Sequence, residues 1–122
     1  ARVTDHWLPG GRVISLPLAQ RATATRDKSA AGRLLAEGFA GTRLASVFAR
    51  PDDHLAGLEL AVLAALIAEL AGLARTAPLT VAPLLKYVLR LRAELLDIRR
   101  IVWGVSLGAP RGALAEGLVT TP

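Results

Sequence analysis

The sequence predicts an all-α fold: two long antiparallel helices with shorter helices packed across them, an irregular N-terminal arm and a C-terminal tail. Two long segments, residues 55–73 and 81–103, carry apolar residues at helical spacing. Turn-forming residues separate these segments, which favours an antiparallel hairpin. The 122 residues are 52% hydrophobic, enough for a core of Leu, Ala and Val. A β-branched run of five residues near the N-terminus is too short to form a sheet.

The N-terminal residues 1–28 are predicted to form an extended arm or linker, and residues 29–122 to form one helical domain. A Pro-Gly-Gly sequence at residues 9–11 indicates a turn. The β-branched run at residues 12–16 follows and is closed by Pro17. We expect this run to be extended or to form a single helical turn.

Two short helices are predicted after the arm. The first covers residues 30–37 and ends near Gly38. The second covers residues 43–49, with Thr42 as a suitable N-cap and Pro51 as its end.

The first long helix is predicted to begin at Asp52 and Asp53, whose carboxylates suit the positive end of a helix. Over residues 55–73 only Glu59 and Glu69 are charged. At about 20 residues this helix is long enough to cross a bilayer. Each carboxylate would cost about 2.5–3.5 kcal/mol in the bilayer centre, however. A core helix packed on two sides is therefore the favoured interpretation, and a membrane span is the alternative.

The second long helix is predicted over residues 81–103, with Thr80 as N-cap, Pro83 in the first turn and Gly104 as C-cap. Its apolar residues follow alternating steps of four and three, the spacing of a helix packed almost antiparallel on a neighbour. We call this set the apolar seam; it consists of Leu84, Val88, Leu91, Leu95, Ile98 and Val102. The tail that follows is expected to hold at most one short helix, around residues 113–118.

The sequence offers little material for catalysis or metal binding. The chain has no cysteine, which excludes a disulfide scaffold, a thiolate zinc site and cysteine catalysis. Residues 104–108 match the G-x-S-x-G pattern of hydrolases, but a predicted helix precedes Ser106 and no histidine follows it. His6 and His54 are too few for a zinc site. We therefore expect no catalytic residue, no metal and no cofactor.

The net charge of +5, from 15 basic and 10 acidic residues, suits an acidic partner. A small basic helical module that binds nucleic acid is therefore an alternative. The cations of the second long helix, however, spread around it, and Glu94 and Asp97 interrupt them. These cations are Lys86, Arg90, Arg92, Arg99 and Arg100.

The last 45 residues carry a more specific pattern. An aromatic residue lies seven positions before a Glu, an Arg follows in the next turns, and a Gly-x-Pro turn starts the last helix. The residues of this pattern are Pro78, Leu79, Thr80, Pro83, Tyr87, Glu94, Arg99, Ile101, Gly104, Gly108, Pro110, Glu116 and Leu118. The pattern resembles the C-terminal end of the C-type subunits of the V/A-type ATPases (ATP synthases), whose eukaryotic counterparts are the d-type subunits. Residues 7–12 resemble the segment that opens the third domain of that family.

The resemblance implies the last of three similar all-helical domains, and therefore a chain that is one part of a longer protein. It implies a non-catalytic rotor adaptor that links the central stalk to the membrane proteolipid ring and supports rotation-coupled proton or sodium transport. The implied partners are central-stalk subunits and the proteolipid ring, with no small-molecule substrate and no nucleic acid. The implied location is peripheral, at the cytoplasmic face of the membrane. An isolated domain that exposes surfaces built for its sister domains is also expected to self-associate.

The candidate partner contacts lie on the predicted outer face of the second long helix. They are Arg90, Glu94, Asp97 and Arg100. Arginine forms bidentate pairs with carboxylates, which suits a contact between proteins of one complex. The alternative is a solvated face, on which Arg90–Glu94 and Asp97–Arg100 form pairs within the helix worth about 0.2–0.5 kcal/mol each.

Overall fold

The computed structural model describes residues 5, 7, 13–50 and 54–119, and within these ranges it contains helices and no strand. The predicted all-α class is therefore confirmed, and the antiparallel pairing of the two long helices stays a prediction. Six helices follow one another: α1 (Leu16–Ala24), α2 (Lys28–Gly38), α3 (Arg43–Ala49), α4 (Leu55–Thr76), α5 (Ala82–Ser106) and α6 (Arg111–Glu116). The predicted turn at residues 9–11, the helix end at Pro51 and the caps at Asp52 and Asp53 lie outside the described residues.

The chain forms two compact units, Ala1–Ala65 and Leu66–Pro122, so that the boundary between them falls inside α4. Among the residues that the structure describes, each unit buries only a few side chains. They are Ala22, Leu44, Leu63 and Ala65 in the first unit, and Ala82, Ala93 and Asp97 in the second. The predicted domain boundary after residue 28 lies within the first unit and stays a prediction.

Helix α1 occupies part of the predicted N-terminal arm. Ser15 is its N-cap, and the Ser15 hydroxyl accepts a hydrogen bond from the Leu18 amide at 3.4 Å. Pro17 lies in the first turn, where no carbonyl requires the N–H that proline lacks. The expectation that Pro17 closes an extended run is therefore wrong, because this proline is the second residue of a helix of nine residues.

Helices α1, α2 and α3 pack through glycines. A Cβ atom at Gly32 of α2 would lie 2.5 Å from the carbonyl oxygen of Phe48 in α3, so the two backbones approach closely there. Gly38, at the end of α2, lies against the side chains of Ile14 and Leu18. The Phe39 and Phe48 rings stack with centroids 5.4 Å apart, which adds an apolar contact beside the crossing of α2 and α3.

The two predicted short helices are both present. Helix α2 begins two residues before its predicted start and includes Gly38. Helix α3 has its predicted bounds, and Thr42 is its N-cap residue. The Thr42 hydroxyl, however, donates to the Phe39 carbonyl at 2.8 Å and makes no capping bond to α3. This hydroxyl therefore stabilises the turn before α3.

Helix α4 extends over 22 residues, as its apolar composition predicts. The segment Ala56–Thr76 is long and apolar enough to cross a membrane by length and composition, and 11% of its most apolar window is buried. Within that segment only Leu63 and Ala65 are buried, and most other side chains are half-buried. The structure therefore gives α4 less burial than the core-helix interpretation predicts.

Helix α5 begins one residue after its predicted start. Its N-cap is Val81 rather than Thr80, and Pro83 lies in the first turn as predicted. The Thr80 hydroxyl accepts from the Ala82 amide at 3.4 Å and donates to the Ala77 carbonyl at 2.7 Å. Thr80 thus joins the turn before α5 to the first residue of the helix.

The apolar seam of α5 is exposed. Its six side chains are between 42% and 67% exposed. The buried residues of α5 are Ala82, Ala93 and Asp97, which fall within roughly 60° of one another at about 100° per residue. The seam lies on the opposite side of the helix. The expectation that these six residues form a buried ridge is therefore wrong, because α5 turns a face of small residues inwards.

The C-terminal end of α5 differs from its prediction. The helix continues through Gly104 to Ser106, and Leu107 is the C-cap. Gly108 has a φ of 71°, a left-handed conformation that glycine adopts without strain. The Ala109 amide donates to the Gly104 carbonyl at 2.8 Å, and the Gly108 amide to the Val105 carbonyl at 3.1 Å. These two bonds form a Schellman motif, so Gly108 ends the helix and Gly104 does not. The predicted short tail helix is present as α6.

Candidate functional site

The four candidate partner contacts do not share one environment. Arg90, Glu94 and Arg100 are exposed, as the sequence predicts. Asp97 is buried, with 6% of its surface accessible. Asp97 faces the same side as Ala93, so the expectation that it lies on an exposed face is wrong.

Asp97 holds the C-terminal tail. Its Oδ1 atom accepts a hydrogen bond from the backbone amide of Val119 at 2.9 Å. The two residues are 22 positions apart, so this bond fixes the tail against α5. A buried carboxylate needs such a partner, since burial of an unpaired charge is costly. Asp97 is therefore a residue that organises the fold.

Two further contacts continue this attachment along α5. The Arg100 guanidinium lies against Gly117, in space that any side chain at position 117 would need. One turn further on, the Leu114 side chain lies against Gly104, where a Cβ atom would displace it. Three pairs of positions are thus in contact along α5: 97 with 119, 100 with 117, and 104 with 114. The tail therefore runs in the opposite direction to the helix. We call these three pairs the tail clasp.

Arg90 and Glu94 are the candidate contacts outside the tail clasp. They are exposed and four residues apart, so they lie on the same side of α5. Arg100 is exposed as well, but its guanidinium also belongs to the clasp. A change at Arg90 or Glu94 therefore alters surface charge with less disturbance of the tail than a change at Arg100.

The cations of α5 do not form a single stripe. Arg92 and Arg99 flank one edge of the apolar seam, whereas Arg90 lies beyond the opposite edge. Lys86 is half-buried on the side of Ala82. The exposed face of α5 therefore has an apolar centre with charges at both edges, which differs from the continuous basic surface of a phosphate-binding helix.

Ser106 is not placed as a nucleophile. It lies in the last turn of α5, and its hydroxyl donates to the Val102 carbonyl at 2.6 Å. A nucleophile elbow needs a strand before the serine, and here the serine is the last residue of a helix of 25 residues. The G-x-S-x-G match therefore reflects a helix end with its Schellman glycine.

The histidines show no metal-binding arrangement in the part of the chain that the structure describes. His54 is exposed, and its carbonyl accepts from the Leu58 amide at 3.1 Å at the start of α4. His6 lies outside the described residues. Among the described residues, no three His, Cys, Asp or Glu side chains cluster closely enough to hold a metal ion.

An open cavity of about 190 Å³ lies beside α3 and the beginning of α4. It is lined by Ser46, Val47, Arg50, Leu58 and Ala61. Ligand pockets usually measure about 300–1,000 Å³ and enclose most of their ligand. The cavity is too small and too open for a typical small-molecule site.

The tail clasp is absent from the sequence-based predictions, although a signal for it exists. Ala82, Ala93 and Gly104 recur on one side of α5 and are small enough for close packing. A carboxylate on that same side, such as Asp97, is better placed to bond a packed segment than to contact a partner. The apolar seam, on the opposite side of the helix, is the stronger periodic signal.

Comparisons of the chain with protein-family models, with curated protein sequences and with solved structures find no match. The likeness to the C-type subunits of the V/A-type ATPases therefore depends on the sequence pattern of residues 78–118.

Proposed function

We propose that this chain is a non-catalytic adaptor domain in the rotor of a V/A-type ATPase. It links central-stalk subunits to the membrane proteolipid ring and supports rotation-coupled proton or sodium transport. It belongs at the cytoplasmic face of the membrane as a peripheral part of the complex. The observation that carries the proposal is the motif of residues 78–118, above all the Tyr87, Glu94 and Arg99 spacing followed by the Gly108-x-Pro110 turn.

Two features of the fold support this proposal. The resemblance implies an all-helical domain, and the chain is all-α in the described residues. The Gly-x-Pro segment implied to start the last helix lies between α5 and α6: Gly108 ends α5, and Pro110 is the N-cap residue of α6. The turn thus separates two helices in the way that the resemblance requires.

The tail clasp also suits a mechanical role. A coupling that transmits torque must not deform between its attachment points. The clasp joins α5 to the tail at three successive positions, one of them a half-buried, charge-assisted hydrogen bond. Movement of the tail along α5 would break that bond and separate Leu114 from Gly104, so the second unit resists shear between α5 and α6.

Arg90 and Glu94 are the proposed partner contacts. Both are exposed, and a guanidinium and a carboxylate on adjacent turns fit a partner surface with the opposite order of charges. In this proposal Arg100 contacts a partner only through the part of its side chain that the clasp leaves exposed. Asp97 serves the partner surface indirectly, because it fixes the tail.

A pull-down tests the proposal. The chain is immobilised and exposed separately to purified central-stalk subunits and to the detergent-solubilised proteolipid ring of a V/A-type ATPase. We expect the chain to retain at least one of them, and Arg90→Glu to weaken that retention at least about tenfold, or about 1.4 kcal/mol. Arg33→Glu is the matched control, since Arg33 is an exposed arginine of α2. The proposal fails if the unaltered chain retains neither partner.

The same material tests the nucleic-acid alternative. Binding to a duplex oligonucleotide is measured at increasing salt, because a phosphate binder loses affinity steeply and linearly on a logarithmic scale. We expect no binding at physiological salt. Tight, salt-sensitive binding to the oligonucleotide, without retention of stalk subunits or ring, would contradict the adaptor function and favour the nucleic-acid-binding module.

A further inference from the structure

Helix α5 carries an apolar surface that is longer than the apolar seam. Val81 and Val105 continue the same alternating steps of four and three at its two ends. All eight side chains are between 42% and 67% exposed. Over 25 residues they form a continuous stripe about 36 Å long at 1.5 Å per residue, which drifts slowly around the helix. An apolar line of this length on an exposed helix indicates an interaction surface.

The spacing is that of a coiled coil. Eight positions over about three and a half heptads satisfy the length that such a pattern requires. The a positions are Val81, Val88, Leu95 and Val102, and the d positions are Leu84, Leu91, Ile98 and Val105. Three of the four a positions are β-branched, and two d positions are leucine. This combination favours two parallel strands over three or four.

The charges beside the seam match a second copy of the same helix. Glu94 occupies a g position, and Arg99 occupies the e position five residues later. In a parallel two-stranded coiled coil, a g residue of one strand faces the e residue five positions later on the other. Each dimer would therefore contain two symmetry-related Glu94–Arg99 pairs. A single helix that carries both members of this pair is complementary to itself.

The tail clasp leaves this side of α5 accessible. Asp97 and Ala93 lie on the opposite side of the helix from the seam. The tail is attached at Asp97, Arg100 and Gly104, so a second helix can reach the seam without displacing it.

An anionic lipid surface fits these residues less well. An amphipathic helix on such a surface keeps cations at the edges of its apolar face. Arg92 and Arg99 lie at one edge, but Glu94 lies at the other, where its carboxylate would face the anionic headgroups. A second copy of α5 instead places Arg99 opposite Glu94, so that these two charges neutralise each other across the seam.

We propose that two copies of this chain associate through α5 as a parallel, two-stranded coiled coil, with Glu94 of each copy paired to Arg99 of the other. This inference does not rest on the proposed function, because it uses only the exposure and the heptad positions of α5.

Sedimentation equilibrium tests the association over a wide range of protein concentrations. We expect the mass to rise with concentration to twice the 12.8 kDa of one chain. Leu91→Glu, at a central d position, is expected to weaken association at least about tenfold. Leu79→Glu is the matched control, since Leu79 is an exposed leucine outside α5. Circular dichroism shows whether each variant keeps its helix content.

The charge pair is tested separately. Glu94→Arg and Arg99→Glu are each expected to weaken the dimer several-fold, and the double variant is expected to regain most of the original affinity. On anionic phosphatidylserine vesicles Glu94→Arg would instead strengthen binding. A mass that stays at that of a monomer at every concentration overturns the proposal. This holds also if the backbone amides of the seam are protected from hydrogen exchange in the monomer, or are protected only when vesicles are present.

The orientation is tested by cross-linking, since the chain has no cysteine of its own. In a parallel dimer Val105 faces Val105 of the second copy. Val105→Cys alone is therefore expected to form a disulfide-linked dimer under mild oxidation. A cross-link that forms only when the Val105→Cys and Val81→Cys variants are mixed would show an antiparallel pair and overturn the parallel arrangement.

Discussion

Removal of the Asp97 carboxylate is expected to loosen the tail. Asp97→Ala removes the acceptor of the Val119 amide bond and leaves that amide without this partner. A hydrogen bond to a charged group contributes about 1.5–3 kcal/mol. Because Val119 is half-buried, we expect the free energy of unfolding to fall by an amount at the lower end of this range, about 1.5 kcal/mol.

Two measurements follow this change. Denaturant unfolding should show the lower stability, and hydrogen exchange at the Val119 amide should become roughly tenfold faster. Asp97→Asn, whose amide oxygen still accepts a hydrogen bond, should lie between the unaltered chain and Asp97→Ala. Glu37→Ala is the matched control, since Glu37 is an exposed carboxylate of α2 outside the tail clasp and the apolar seam, and it should change stability by less than about 0.5 kcal/mol.

The comparison between the two carboxylates decides the role of Asp97. If Asp97→Ala and Glu37→Ala lower the free energy of unfolding equally and the Val119 exchange rate does not change, then Asp97 does not hold the tail. The assignment of Asp97 as a residue of the fold would then be withdrawn, and its role as a partner contact would again be open to test.

The glycines give the remaining predictions. Gly32→Ala should destabilise the chain by about 1–3 kcal/mol, because the new Cβ meets the Phe48 carbonyl oxygen. Gly72→Ala in α4, where a Cβ meets nothing within 4 Å, should stabilise it by about 0.5–1 kcal/mol. If urea unfolding gives Gly32→Ala and Gly72→Ala the same change in the free energy of unfolding, that result contradicts the close approach of α2 and α3. Gly108→Ala should cost about 1–2 kcal/mol at its positive φ and increase exchange at the Ala109 amide; unchanged exchange there would refute the Schellman assignment.

Local signals predict most of the helices. The apolar periodicity of α4 and α5 and the turns around them place both long helices within a few residues. The bounds of α3 follow from Thr42 and the composition of its seven residues. The exception is α1, because Pro17 after the β-branched run predicts the end of that run. Proline is compatible with the first turn of a helix as well as with the residue after it, and the Ser15 cap distinguishes the two.

The side of α5 that is buried could not be predicted from periodicity. Periodicity shows that a helix has an apolar side, but it does not show what covers that side. The seam is the most apolar side of α5, and the tail packs instead on the opposite side, at Asp97, Arg100 and Gly104. The close approaches at Gly104 and Gly117 and the half-buried hydrogen bond from Val119 to Asp97 hold the tail on that side. Both depend on residues that are distant in sequence.

The bond between Asp97 and the tail is made to a main-chain amide, and Gly117 contributes by having no side chain. Attachment of this kind is compatible with almost any residue type at position 119, because every amino acid except proline supplies the same backbone N–H group. The side chains on the exposed surface of the tail are therefore not the groups that hold the tail in place. Its exposed positions could be exchanged to suit a new neighbour while the anchoring geometry stays the same.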